Sequence, residues 1–249
     1  MINAETLDPV VDAILGPQQD ATDLLPVVVT PNVDIVVHLD RNQDRAEGEV
    51  FRQARYCLPD GQPIVWMSRL LGRPLKARLA GSDLFARLWP LVVEDHVATV
   101  VVASSEEIAT TLAAELPAAG FVVPPMFDAD DQATIDRIAA EVLEACREVR
   151  PQLVLVGIGN PKDARIIAAV LERWDDTSYP MPVIMGLGAS FALYLSLVKR
   201  APDWMQQRGL EWFHRFLQEP RRLFHRYFVR DLAFLPITVG EWRRVRSSR

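Results

Sequence analysis

The sequence predicts an α/β fold: a Rossmann-like, mainly parallel sheet with helices on both faces, followed by a helical C-terminal appendage. Three observations carry that prediction. Short apolar runs such as Leu25–Val29 and Thr99–Ala103 alternate along the chain with longer amphipathic stretches. The runs are almost continuously apolar rather than alternating with polar residues, which is the pattern of strands covered on both faces. Beyond about Val198 the composition changes to interleaved aromatics and arginines.

Taken in order, residues 1–25 hold scattered apolar positions and the polar run GPQQDATD, so they form a short helix or arm and then a loop. Leu25–Val29 is a β-branched strand, broken at Thr30-Pro31-Asn32, and residues 33–39 open a helix. Thr30 and Asn32 therefore stand where a strand hands over to a helix. The polar run 41–49 and the segment 50–56 lead to the turn Leu58-Pro59-Asp60-Gly61, with Asp60 at its tip, and then to the apolar residues 63–66. Residues 70–83 form a basic loop with two glycines that ends in a helix start, where Ser82 or Asp83 caps Leu84 onward. Strands follow at Thr99–Ala103, 121–125, 152–158 and 181–187, with helices at 106–116, 131–149 and 163–174 between them. In such sheets ligands sit in loops after the carboxyl ends of the strands. Ser104, the run Gly159-Asn160-Pro161-Lys162 and residues 186–190 fall at those ends. The composition change divides the chain into an α/β domain at 1–197 and an appendage at 198–249.

With 49% hydrophobic residues the chain can bury a core without staples. Its two cysteines, Cys57 and Cys146, make neither a disulfide framework nor a zinc site, so a reducing, cytoplasmic setting is expected. No charged-then-apolar signal pattern opens the chain, and no apolar run approaches the roughly 18 residues of a spanning helix. The net charge of -6 is unevenly spread: residues 199–249 carry +7 and the remainder -13. An acidic body with a basic end argues against nucleic-acid binding over the whole surface and for a localised anionic partner.

Several residues could carry chemistry. A carboxylate on a glycine-flanked turn, Asp60, is accessible enough for general-base work, although Asp-Gly is also a common turn. Thr30 and Asn32 could bind a sugar or simply cap the following helix. Gly157-Ile158-Gly159-Asn160-Pro161-Lys162 leaves a buried strand and opens a helix, where backbone N–H groups favour a phosphate and Lys162 adds a charge. It lacks the spacing of a Walker loop or a GxGxxG fingerprint, and a plain glycine turn would read the same way. Asp128, Asp130 and Asp131 lack a fourth ligand and are better read as capping a helix than as a metal site. His38, His96, His214 and His225 are dispersed and form neither a metal motif nor a triad.

In the tail, Trp204, Met205, Trp212, Phe213, Phe216, Leu217, Leu223, Phe224, Tyr227 and Phe228 recur at helical spacing beside Arg215, Arg221, Arg222, Arg226 and Arg230. Pro202 suits a first turn, Gly209 separates two helices and Pro220 starts another. Arg222, Arg226 and Arg230 line one face of that last helix. They could bind lipid phosphates while the rings enter the membrane interface, which would make the appendage a membrane-docking one. Alternatively the rings pack on the sheet and the arginines face water.

Together these pieces resemble the WecG/TagA/CpsF family of bacterial glycosyltransferases. The carriers are Thr30-Pro31-Asn32, Asp60-Gly61 followed by PIVW, the run Arg78-Leu79-Ala80-Gly81-Ser82-Asp83-Leu84, Gly157-Ile158-Gly159-Asn160-Pro161-Lys162, and the tail KRAPDWMQQRGLEWFHRFLQEPRRLFHRY. The resemblance implies an inverting, metal-independent and cofactor-free transfer of a sugar from a UDP-sugar donor to a polyprenyl-diphosphate-linked acceptor, at the inner face of the cytoplasmic membrane. In that setting Asp60 resembles the general base and Thr30 its neighbour in the pocket. Arg78, Gly81, Ser82 and Asp83 resemble a substrate loop, and Gly159 to Lys162 the loop beside the nucleotide sugar, with Asn32, Gly61, Ser104 and Gly157 lining the same end of the sheet. Arg215, Arg221, Arg222, Arg226 and Arg230 resemble residues that hold the membrane and the lipid diphosphate. A homo-oligomer is compatible with this reading. The chain departs from the family pattern at Ala103-Ser104-Ser105 in place of LGG, at Asp163-Ala164 within PKQE, and at Phe191-Ala192 in place of FD, with no AG pair after it. Those departures keep a second reading open, that of a catalytically degenerate homologue serving as a membrane-associated binding or scaffold subunit.

Overall fold

In a computed structural model, residues 4–17, 24–42, 45–176, 178–198, 201–202, 205, 211–218, 220–225 and 231–247 are described. Helix α1 (Asp8–Leu15) precedes β1 (Leu25–Val29), α2 (Val33–Arg41), α3 (Ala46–Gln53), β2 (Ala54–Cys57), α4 (Gln62–Leu70) and α5 (Gly81–Glu94). Then come β3 (Thr99–Ala103), α6 (Glu106–Glu115), β4 (Gly120–Val122), α7 (Gln132–Val149), β5 (Leu153–Gly157), α8 (Lys162–Glu172), β6 (Val183–Gly186) and α9 (Ser190–Tyr194). The C-terminal part holds α10 (Glu211–Gln218), α11 (Pro220–His225), a 3-10 turn (Asp231–Ala233) and α12 (Phe234–Ser247).

The six strands form one parallel sheet in the order β2-β1-β6-β5-β3-β4. Neighbouring residues of each strand face opposite ways, so a strand buried on both sides must be apolar at every position. Val28, Val101, Leu153, Leu155, Val183 and Met185 pack on one side against α1, α5, α6 and α9, around the fully buried Phe85 and Trp89. Val27, Val29, Val100, Val102, Val154, Val156 and Ile184 pack on the other against α3, α7 and α8. A smaller cluster joins Val37 of α2, Ile64 of α4 and Phe234 of α12.

The expected alternation of strand and helix is present, with three corrections. The segment 50–56, which showed no element on its own, is the end of α3 and most of β2; α3 buries Glu47, Gly48 and Val50, a polar-apolar mixture without a clean helical stripe. The strand expected at 121–125 is the short edge strand β4 at Gly120–Val122, paired only with β3. The helix expected from Leu84 starts at Gly81, so Ser82 and Asp83 lie inside its first turn, and Ala80 takes the N-cap position without a side-chain bond. The apolar residues after Gly61 continue as α4, and α12 is a C-terminal helix that periodicity in the tail did not reveal.

Candidate active site

Four strand ends supply the site. Leu58 and Asp60 stay in step with the chain leaving β1: the Leu58 N–H donates to Val29 O at 2.9 Å, and the Asp60 N–H donates to Pro31 O at 3.0 Å. The turn after β2 is thereby clamped beside Thr30 and Asn32. Leu79 closes the other side by donating to Pro59 O at 2.9 Å, which brings the loop before α5 back onto the same turn. The result is a carboxylate with two fixed partners. Asp60 Oδ1 lies 3.5 Å from Arg78 Nε, and Asp60 Oδ2 accepts the Gly81 N–H at 3.3 Å. Gly81 is the first residue of α5, whose free amides and dipole favour an anion. A side chain on Asp60 thus does what no residue at the helix's own N-cap does. The Asp60 side chain keeps 27% of its surface open and Arg78 17%, so both can be reached from the crevice.

Thr30 sits between that carboxylate and the next strand. It is buried, and a Cβ added to Gly81 would come 3.0 Å from its Oγ1, a contact tighter than usual, so glycine eases the close approach of α5 to β1. Its hydroxyl points at Gly186 O of β6, 3.5 Å away. Asn32 serves as the helix cap: its Oδ1 accepts the Ile35 N–H at 3.1 Å. Gly61 packs beside Asn32 and opens α4.

Across β6 lies the glycine loop of β5. Asp163, in the first turn of α8, accepts the N–H groups of Ile158 at 2.9 Å and Gly159 at 2.8 Å on Oδ1, and that of Gly188 at 2.8 Å on Oδ2. One buried carboxylate therefore ties the loop after β5 to the loop after β6. Burial pushes its pKa up to about 6, although the three amides pull the other way. Gly186 completes the connection, since a Cβ there would lie 3.8 Å from Asp163 Cβ. Asp60, Gly81, Thr30, Gly186, Asp163 and Gly159 thus form an unbroken chain of neighbours across the carboxyl edge.

Gly159 has φ +99°, a conformation that side chains disfavour, and its Cβ direction is empty. Its N–H and carbonyl are both taken by Asp163. Gly157 differs: a methyl there would sit 2.2 Å from the Phe191 ring, so glycine at this position admits an aromatic ring rather than a ligand. The Asn160-Pro161 bond is cis. Lys162 Nζ stands 4.5 Å from the centre of the Phe127 ring. One turn on, Arg165 pairs with Glu47 at 3.3 Å and Asp130 at 2.8 Å and also donates to Ala129 O. Glu47 further contacts His38 at 3.3 Å, so α2, α3, α8 and the loop before α7 are braced together beside the glycine loop. Burial alone would raise the Glu47 pKa; the hydrogen bonds from His38 and the Glu47 backbone, and the charges of His38 and Arg45, bring it below the usual range instead. Asp131 caps α7 through the Thr134 N–H at 3.1 Å, and Asp130 is taken by Arg165 and Arg45. Asp128 Oδ1 accepts the Asp130 N–H at 2.9 Å, so the three aspartates serve a turn, ion pairs and a helix cap.

The structure brings together Thr30, Asn32, Asp60, Gly61, Arg78 and Gly81, with Ser82 and Asp83 following in the first turn of α5. The loop from Gly157 to Lys162 lies along the same edge. Ser104 ends β3, exposed, while Ser105 caps α6 through the Ile108 N–H. Arg221 is exposed on α11. Arg226 and Arg230, Trp204 and Gly209 lie outside the described residues, as do the side chains of Arg215 and Arg222. Asp163 was missed as a site residue, because its contact with Gly188 spans 25 positions. Its only sequence signal is its place in the first turn after a glycine loop.

The sequence has counterparts among known proteins. The family model described as "Glycosyl transferase WecG/TagA/CpsF family" matches residues 2–248. A Bacillus subtilis protein named N-acetylglucosaminyldiphosphoundecaprenol N-acetyl-beta-D-mannosaminyltransferase is 29% identical over 189 residues, 72% of this chain and 67% of the relative. A protein of the same name from Bacillus spizizenii is 31% identical over 202 residues, 78% of this chain and 72% of the relative. One from Staphylococcus aureus is 26% identical over 200 residues, 79% and 73% of the two chains.

Proposed function

Since the chain belongs to the WecG/TagA/CpsF family of glycosyltransferases, we propose that it moves a hexosyl group from a UDP-sugar to a saccharide carried on a polyprenyl diphosphate, in exopolysaccharide or cell-envelope synthesis. The names of the Bacillus and Staphylococcus relatives support the acceptor class. The observation that carries the mechanism is the Asp60 carboxylate, open to the crevice yet fixed by Arg78 and the Gly81 amide beside Thr30.

In this reading Asp60 accepts the proton of an acceptor hydroxyl as that oxygen forms a bond to the anomeric carbon. The bond from the anomeric carbon to the diphosphate oxygen breaks, and UDP leaves with the electron pair. Attack opposite the leaving group inverts the configuration. The negative charge on the departing diphosphate calls for donors already in place. The ammonium of Lys162, beside the glycine loop, is the chain's own candidate, with no metal in the scheme. Arg78 holds the base in position and can also face acceptor oxygens. Because a polyprenyl acceptor lies in the bilayer, the enzyme works at the inner surface of the cytoplasmic membrane, held peripherally by the arginine-rich tail. No helix among the described residues is long and apolar enough to cross a membrane.

The test supplies the purified chain with a panel of UDP-sugars and a lipid-diphosphate-sugar acceptor. Turnover should fall by about 100-fold or more in Asp60→Ala, the scale of a lost general base. Equal turnover by both proteins would remove Asp60 from the mechanism. No turnover of any donor by the unmodified chain would favour the scaffold role that the altered Ser104, Asp163 and Ala192 positions leave open.

A further inference from the structure

The excursion from Gly61 to Ala80 starts and ends on the candidate base. Gly61 follows Asp60 and takes the N-cap position of α4, and at the far end Arg78 pairs with Asp60 while Leu79 donates to Pro59 O. Between these anchors the chain presents an unusual surface. Ile64 and Val65 of α4 are buried, and Ile64 joins the cluster with Phe234 of α12. On the opposite face Trp66 is 53% exposed and Leu70 62%, one helical turn apart. Exposed apolar residues this large, side by side, mark an interaction surface.

Charge narrows the partner. Residues 61–82 contain Arg69, Arg73, Lys76 and Arg78 and no Asp or Glu, in a chain whose first 198 residues are strongly acidic. Arg69 and Arg73 are exposed and form no ion pair among the described residues. Tryptophan and leucine flanked by arginines suit the boundary between acyl chains and anionic headgroups. On α12, whose Phe234 shares the cluster with Ile64, Leu235 and Val239 are exposed as well.

We propose that α4 is a membrane-contact element: Trp66 and Leu70 enter the interface of an anionic bilayer, Arg69 and Arg73 meet its headgroups, and the adjoining turn holds Asp60 at the depth of the lipid diphosphate. This rests on the transferase reading for its purpose, but not for its physical content. The basic tail anchors the molecule, whereas α4 sets the height and tilt of the site.

The experiment compares the full chain with Trp66→Ser/Leu70→Ser and with Arg69→Glu/Arg73→Glu, substitutions at exposed positions that leave Ile64 and Val65 in place. Co-sedimentation with phosphatidylglycerol-containing vesicles should show about tenfold weaker partitioning for each double variant, with Arg69→Glu/Arg73→Glu losing the salt-sensitive part. Turnover with an acceptor embedded in those vesicles should fall in parallel, and turnover with a short-chain, water-soluble lipid-diphosphate acceptor should not change. Unaltered vesicle binding by both variants would overturn the proposal whatever the enzyme's activity. So would a chain whose self-association, followed by sedimentation velocity, is lost in Trp66→Ser/Leu70→Ser while vesicle binding persists, since the face would then belong to a second copy. If the unmodified chain shows no turnover with any donor, vesicle partitioning still decides the proposal, and only the transferase reading fails.

Discussion

At the scale of single residues, the site holds glycines packed tightly against their neighbours. Gly81 lets the start of α5 reach Thr30, and Gly157 lets the Phe191 ring lie on the end of β5. Phe191 itself lies tilted against Phe85 with ring centres 4.8 Å apart, so it cannot yield without disturbing the core under α5 and α9. Gly157→Ala should therefore destabilise the fold by about 1–3 kcal/mol, the usual cost of overpacking. Thermal unfolding would register a lower Tm, and Gly157→Ala/Phe191→Leu should recover part of the loss because the smaller side chain makes room. A Tm unchanged in the single variant would show that the ring moves freely and that Gly157 has another reason to be glycine.

Among elements, the decisive connection is the Asp163 bridge between the loops after β5 and β6. Its pKa of about 6 makes the bridge pH-dependent, and the sign follows from linkage. Between about pH 4 and pH 6 the folded chain binds a proton on Asp163 that the unfolded chain has already released. This residue's contribution to stability therefore falls as pH rises through that window, by on the order of 3 kcal/mol, and is constant above it. Asp163→Asn has no such proton, so the difference in urea stability between the two proteins should change across pH 4–6 and level off above 6. A difference that does not vary with pH would mean that Asp163 titrates normally. In Asp163→Asn one amide nitrogen must replace a carboxylate oxygen, so the variant either sets an N–H against the Gly188 N–H or turns and abandons the pair on Ile158 and Gly159.

Elements with strong periodicity could be read in the sequence: β1, β3, β5 and β6, and the helices α6, α7 and α8. Two-sided burial writes itself as an unbroken apolar run, and one-sided helix burial as a stripe. Where burial is mixed the signal fades. Helix α3 buries Glu47 because Arg165 and His38 meet it from other elements, and β2 follows without a turn, so neither had a local signature. Asp60, Thr30, Arg78 and Gly81 were nameable because a turn tip, a strand end and a resemblance marked them. Their mutual contact was not, because it depends on the loop at 70–80 folding back onto Pro59. Asn32 and Asp131 each cap the helix that follows, as their positions ahead of α2 and α7 allowed.

On the scale of the whole molecule, charge is polarised between an acidic body and a basic C-terminal segment. In the membrane-docked state proposed above, the negative body would be pushed away from anionic lipid and the tail drawn to it, which would give the molecule an orientation as well as an attachment. Vesicle binding should weaken as salt rises from 0.1 M to 1 M, over which the screening length shrinks from about 10 Å to about 3 Å. Arg222→Ala/Arg226→Ala/Arg230→Ala should bind anionic vesicles more weakly than the unmodified chain at low salt and differ little at high salt. Equal binding at low salt would show that these arginines do not hold the membrane.

The position of β6 has one more effect. It is the last strand among the described residues, yet it lies between β1 and β5, so the first strand cannot join the rest of the sheet until residues 183–186 have been synthesised. During translation the Thr30–Asp60 half of the crevice and the Gly159 half exist as separate fragments, each missing a neighbour. The seam closes late and at long sequence separation, a slow step for a nascent chain. A ribosome-bound chain therefore has no complete crevice until residues 183–186 have emerged, so on the proposed transferase reading the two halves of the site meet only shortly before the arginines at 215–230 follow.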